Sequence, residues 1–153
     1  MIYLLALLIG IVASLRSFTA PAAVAWAVHF GWMPLEDTSF AFLGRGITPW
    51  ILGILALGEL ITDKLPATPS RKIPMALIAR LIAGGFSGAA IGATGGILIA
   101  GLVLGIAGAA IGTFGGHACR MRLAAMFGRD LPAALVEDAV AVGGALLIVG
   151  ALT

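Results

Sequence analysis

The chain has 153 residues, of which 61% are hydrophobic and 10% charged, with a mean hydropathy of +1.13. Soluble domains carry about 25% charged residues, so this chain cannot clothe a water-facing surface, and its length makes it a single integral membrane domain over residues 1–153. The net charge of +2 does not point to nucleic acid, because the basic residues lie in short stretches between apolar runs, a pattern of membrane orientation.

Met1 to Leu15 is apolar, with no basic residue before it and no polar mature domain after it, so it reads as structure and not as a cleaved signal. LRSFTAP (Leu15 to Pro21) follows, then a second apolar run to about Met33. A crossing needs roughly 20 residues, so this length predicts one span, kinked or broken near Arg16 and Pro21. The other reading is two separate segments with Arg16 in a surface turn. Gly31 to Gly46 carries Trp32, Pro34, Glu36, Asp37 and Arg45 and reads as a loop with an interfacial aromatic. Thr48, Pro49 and Trp50 open the next helix, with proline in the first turn, where its missing donor does least harm.

That helix ends in GELITDKLPATPSR (Gly58 to Arg71), the stretch that most demands explanation. A charged side chain toward the bilayer centre costs between about 2.5 and over 10 kcal/mol, so it faces a partner or a wet cavity. Glu59 and Asp63 are four residues apart on one helix face and repel each other, so a side chain, metal or proton must offset them. Pro66, Pro69 and Pro74 prevent a continuous helix, which predicts a membrane-surface loop over Lys64 to Lys72.

From Pro74 to about His117 the chain is apolar and too long for one span, which predicts a helical hairpin turning near Gly95 and Gly96. Gly84, Gly88, Gly92 and Gly96 recur every fourth position, then Gly101 and Gly105, then Gly108, Gly112 and Gly116. Such spacing lets helix backbones approach closely, first of all within the chain. Arg120 to Asp130 reads as a basic connector, and Pro132 starts the last helix, with Glu137 and Asp138 about two turns in. Cys119 is the only cysteine, which excludes an intramolecular disulfide and a thiolate cluster. A faint internal echo relates RSFTAPAAVAWAV (Arg16 to Val28) to GRDLPAALVEDAV (Gly128 to Val140), both with PAA at the head of a helix.

Lys64, Arg71, Lys72, Arg80, Arg120, Arg122 and Arg129 are seven of the nine basic residues, whereas Gly31 to Gly46 holds two acids and one arginine. The positive-inside rule then places the basic loops in the cytoplasm and the Trp32 loop outside. The expected fold is an all-α polytopic transmembrane bundle of about five crossings, N-terminus in and C-terminus out, with a broken first helix and a glycine-rich hairpin. Five short helices enclose little volume, so a parallel homo-oligomer in the lipid bilayer is the expected assembly.

LRSFTAP (Leu15 to Pro21), ELITDKLPATP (Glu59 to Pro69), ARLIAGG (Ala79 to Gly85), GGHACRMRL (Gly115 to Leu123) and LVEDAVAV (Leu135 to Val142) cover most of the chain. Together they resemble an uncharacterised bacterial membrane protein family catalogued as domain of unknown function 4126. The sequence departs from the related pattern in having Leu81 after Arg80, where a proline is expected. The resemblance implies a multi-pass fold of the bacterial inner membrane and brings no activity with it.

Arg16, Glu59, Asp63, Lys64, Arg80, Glu137 and Asp138 are the expected members of one polar centre, suited to a small solute, a proton or a cation. The alternative is structural, with pairs such as Arg16 to Glu59 and Arg80 to Glu137 fixing helix register. A divalent cation on the carboxylates, with His117, is a weaker reading because no paired-histidine motif supports it. No cofactor is expected, and no nucleophile lies beside a base in an enzyme motif, although basic loops facing lipid phosphates leave a lipid-phosphate enzyme as a remote alternative.

Overall fold

The computed structural model describes residues 1–62, 74–128 and 130–153. It contains α1 (Ile2–Leu15), α2 (Thr19–His29), a 3₁₀ turn (Ala41–Gly44), α3 (Thr48–Thr62), α4 (Pro74–Thr94), α5 (Leu98–Phe127) and α6 (Asp130–Gly150). The described residues form no strand. Met75–Thr94, Leu98–Phe127 and Pro132–Gly150 are long and apolar enough to cross a membrane, whereas Ile2–Leu15 and Thr48–Thr62 are shorter apolar helices.

Four prolines mark helix starts. Pro21, Pro49, Pro74 and Pro132 all fall within the first three residues of α2, α3, α4 and α6, where a backbone N–H has no intrahelical acceptor and its loss costs little. Pro21 and Pro132 hold the same third place, so the echo between the two segments is a shared way of opening a helix. The basic connector expected over Arg120 to Asp130 is shorter than anticipated. Helix α5 runs on to Phe127, because Arg, Met, Leu and Ala are strong helix formers, and it stops at Gly128, whose φ of 69° is a left-handed cap.

The α4–α5 hairpin turns where expected, between Thr94 and Leu98, with Gly96 at φ 72°. Its glycines mesh. A β-carbon on Gly88 would strike the backbone of Gly101 and Gly105, and one on Gly84 the backbone of Gly105. Helix α1 lies along the same glycine-rich helix, with Gly10 against Gly105, Gly108 against Leu7 and Gly112 against Ser14. The small residues thus bring three backbones into contact within one chain, as small-xxx-small packing allows.

These contacts also fix direction. The pairs 10–105, 11–108 and 14–112 advance together, so α1 is parallel to α5, whereas 84–105, 88–101 and 92–97 make α4 antiparallel to it. Val12 meets Gly144 and Arg16 meets Asp138, so α6 is antiparallel to α1. Trp26 faces Gly53 while Ser17 and Phe18 reach Glu59, so α2 and α3 are antiparallel. Helix α2 shares a groove with Val142, Ala145 and Leu146, which lie on the Val12 side of Asp138. The chain therefore reverses at Arg16 and runs back beside α1.

That reversal changes the expected topology. Residues 1–33 do not continue through as one broken span, and both termini lie at the end of the bundle marked by the Gly95–Gly96 turn. The helix ends at Thr62, Pro74, Phe127 and Asp130 lie at the other end. The alternative of two segments is closer, but its surface turn is not found, since Arg16 is fully buried. The connection over residues 30–47 is likewise more than a surface loop. Met33, Leu35 and Leu43 are buried, and Phe40 and Phe42 pack on Phe86 of α4. Trp26, Phe30, Trp32 and Trp50 cluster near this connection, as aromatics do at a membrane interface. Outward-facing Ile54, Ile61, Ile99 and Leu147 are each more than 60% exposed, an apolar surface that suits lipid and not water.

A candidate site: the charged centre at the helix break

The break between α1 and α2 follows from backbone chemistry. An unbroken helix would need an N–H at Pro21 to reach back to Ser17, and proline has none. Arg16 instead takes an extended backbone at φ −142° and ψ 111° after its N–H has closed the last turn onto Val12. Its side chain is thereby directed into the bundle.

Arg16 is 0% exposed. Its Nε donates to Asp138 Oδ1 at 2.7 Å, Nη2 donates to the same oxygen, and Nη1 donates to the Leu15 carbonyl at 3.1 Å. Nη1 also lies 3.9 Å from Glu137 Oε1, and Arg120 Nη1 lies 3.2 Å from Glu137 Oε2. The charges alternate along Asp138, Arg16, Glu137 and Arg120, so each interior ion faces opposite charge on two sides. Such pairing and hydrogen bonding is what allows ions to persist away from water.

Glu59 arrives from α3 and meets the other side of the break. Its Oε1 accepts from the Ser17 amide and its Oε2 from the Phe18 amide, both at 2.8 Å. The start of α2 has no side-chain cap of its own. The two amides bound by Glu59 belong to the residues that lead into it, Ser17 and the N-cap residue Phe18, and the carboxylate lies near the positive end of the helix dipole.

Four of the seven expected residues, Arg16, Glu59, Glu137 and Asp138, therefore converge on residues 16–18. Arg80 is 7% exposed on α4. It lies one turn before Gly84, which meets Gly10, and so is level with Ser14, beside the centre. Asp63 and Lys64, and the loop expected over Lys64 to Lys72, lie outside the described residues. The sequence suggested Arg16–Glu59 and Arg80–Glu137 pairs. The structure adds bonds that those pairs did not include: Arg16 to Asp138, Arg120 to Glu137, and two backbone amides to Glu59. Arg120 belongs to α5 and not to a connector, and only the helix-forming character of the residues after it signals this in the sequence. Among the described residues, no group of three or more His, Cys, Asp or Glu is arranged to hold a metal ion.

Depth follows from position. Asp138 is eight residues into α6 and Arg120 seven before the end of α5, so the centre lies about 10–12 Å inside these helix ends. Beside it, on the Glu59 side, an apolar groove of about 390 Å³ runs between α2, α3 and α6, lined by residues that include Thr19, Ala23, Trp26, Leu57 and Ala145. In comparisons with protein-family models, curated proteins and solved structures, nothing matches this chain.

Proposed function

We propose that the chain is a non-enzymatic carrier or channel of the bacterial inner membrane that passes a small solute or ion by way of the charged centre. The observation that carries this reading is the meeting of Arg16, Glu137, Asp138 and Glu59 at an interrupted helix inside an apolar bundle. Ionised groups within a membrane are expensive and mark substrate or ion pathways, and interrupted helices with exposed amides are a recurring means of building such sites. Arg80 on α4 and, in sequence, Asp63 and Lys64 complete the proposed set. The motif resemblance noted above supports a multi-pass protein and adds no substrate.

The helix directions favour α3 to α6 as crossings and α1–α2 as a re-entrant pair, in place of five crossings. With the basic ends cytoplasmic, both termini are then outside. The outward apolar faces suit lipid and a parallel homo-oligomer.

Purified protein in proteoliposomes tests the reading. Glu59→Gln is expected to abolish flux of the transported ion or solute while the size-exclusion profile stays that of the parent. A second reading, a structural lock that fixes helix register, is favoured by the closure of the centre, since Arg16 is 0% and Glu137 7% exposed. It predicts the reverse: variants that assemble poorly, and no flux above empty liposomes for the parent protein.

A further inference from the structure

The groove between α2, α3 and α6 takes no part in the ion pairing, and none of its described lining residues is charged. Leu57 and Leu146 on its rim are 62% and 55% exposed, so it opens on the outward apolar face. Its volume of about 390 Å³ falls within the range of small-molecule pockets, about 300–1,000 Å³. Thr19, which also lines it, is 6% exposed, and its Oγ1 is buried with no hydrogen-bond partner among the described residues. The reason is local. A helical threonine ordinarily bonds its hydroxyl to a carbonyl of the preceding turn, as Thr113 does to Ala109 at 2.7 Å and Thr94 to Ile91 at 2.6 Å. Thr19 is the first residue of α2, so the residues three and four before it, Arg16 and Leu15, lie across the reversal, and the Leu15 carbonyl accepts from Arg16 Nη1.

Depth and lining decide what can satisfy that hydroxyl. Helix α6 has 21 residues and is about 31 Å long, close to the roughly 30 Å of a hydrocarbon core. Asp138 lies about 12 Å inside its first turn, and Thr19 directly follows the segment that bonds to the charged centre at that level. A phospholipid with its ester at Thr19 would draw its charged head to the same depth, at high cost. A free ion would find no charged partner in the lining, and water needs two or more polar partners where these walls offer one. We propose that the groove binds an uncharged lipophile, an apolar body carrying one carbonyl or hydroxyl oxygen, with that oxygen bonded to Thr19 Oγ1. The site is separate from the charged centre, and its occupancy does not depend on transport.

Trp26 lines the groove and reports on it. In a Trp32→Phe, Trp50→Phe background, Trp26 is the only tryptophan left. The protein is reconstituted in phosphatidylcholine vesicles and titrated with two probes of equal length, a brominated long-chain ketone and the corresponding brominated alkane. The ketone is expected to quench Trp26 saturably, with half-saturation at a mole fraction about fivefold below that of the alkane, the factor that one typical hydrogen bond confers. Thr19→Val keeps the shape without the hydroxyl. It is expected to raise the ketone's half-saturation to that of the alkane and to leave the alkane's unchanged. Ala23→Phe fills the groove and is expected to remove the saturable component for both probes; if it does not fold, the comparison of Thr19→Val with its parent decides. Ketone quenching that follows bulk composition without saturating, or that saturates equally in the parent and Thr19→Val, overturns the proposal. So does a Trp26 that neither probe quenches, which would mean that a second copy covers the groove.

Discussion

Arg16 and Asp138 are 122 residues apart in the chain, and two hydrogen bonds run from the guanidinium of one to a single carboxylate oxygen of the other. The pair ties the reversal after α1 to the middle of α6, the last helix. Removing one partner from a buried pair costs about 3–5 kcal/mol, whereas replacing both by apolar residues is often neutral. Asp138→Asn is therefore expected to lower stability by an amount in that range in a denaturation series in mild detergent. Arg16→Met combined with Asp138→Leu should be less destabilised than the sum of its single variants. Strictly additive losses would show that the two residues do not act as a unit.

Glu59 makes a different kind of bond, and the two carboxylate substitutions separate its parts. Glu59→Gln keeps one carbonyl acceptor for the Ser17 and Phe18 amides but gives up the charge and the second acceptor. Glu59→Ala leaves both amides without this partner. The Ser17 bond is part-buried and the Phe18 bond exposed, and a typical hydrogen bond contributes about 0.5–1.5 kcal/mol, so Ala is expected to destabilise more than Gln. Exchange of the Ser17 and Phe18 amide protons, followed by NMR, should accelerate in the same order. Equal protection in all three proteins would mean that Glu59 does not hold the turn that leads into α2.

Much of this arrangement was legible in the sequence, because a few residues had no other explanation. Charges at 16, 59, 137 and 138 within apolar runs must find one another, and glycines at fourth positions must meet a backbone. Gly95–Gly96 offered the one break in a run too long for a single span. The reversal at Arg16 was not legible, because total apolar length measures whether a segment can cross, not whether it does. Pro21 in a continuing helix would kink it, yet within the first turn of a new helix it causes no strain. Partner choice was hidden for another reason. Which of Glu59, Glu137 or Asp138 receives the Arg16 side chain depends on the rotation of α3 and α6 about their axes, and single-chain spacing does not report it.

The reversal makes a prediction about sidedness. With Cys119 replaced by serine, single cysteines at Tyr3 and Leu152 should react with a membrane-impermeant maleimide from the same side of oriented vesicles. A cysteine at Arg122, exposed near the far end of α5, should react only from the other side. Labelling of positions 3 and 152 from opposite sides would restore the expectation of an odd number of crossings.

The glycines supply a test with an internal control on a single helix. A β-carbon on Gly112 would collide with Ser14 and approach the backbone of Ile11, whereas one on Gly115, three residues later on α5, would meet nothing within 4 Å. Both substitutions by alanine gain helix propensity, about 1 kcal/mol at most, so any difference between them comes from packing. Overpacking a tight contact costs about 1–3 kcal/mol. Gly112→Ala should thus be destabilising and Gly115→Ala neutral or mildly stabilising. Gly88→Ala, against the backbone of Gly101 and Gly105, should resemble the first, and Gly143→Ala, which faces open space, the second. The measurement is the thermal unfolding midpoint of each purified variant in one detergent. If all four alanines shift it equally, the close approach of α1, α4 and α5 does not hold the bundle together. If only the two crowded positions lower it, contact between backbones holds these three helices at their spacing.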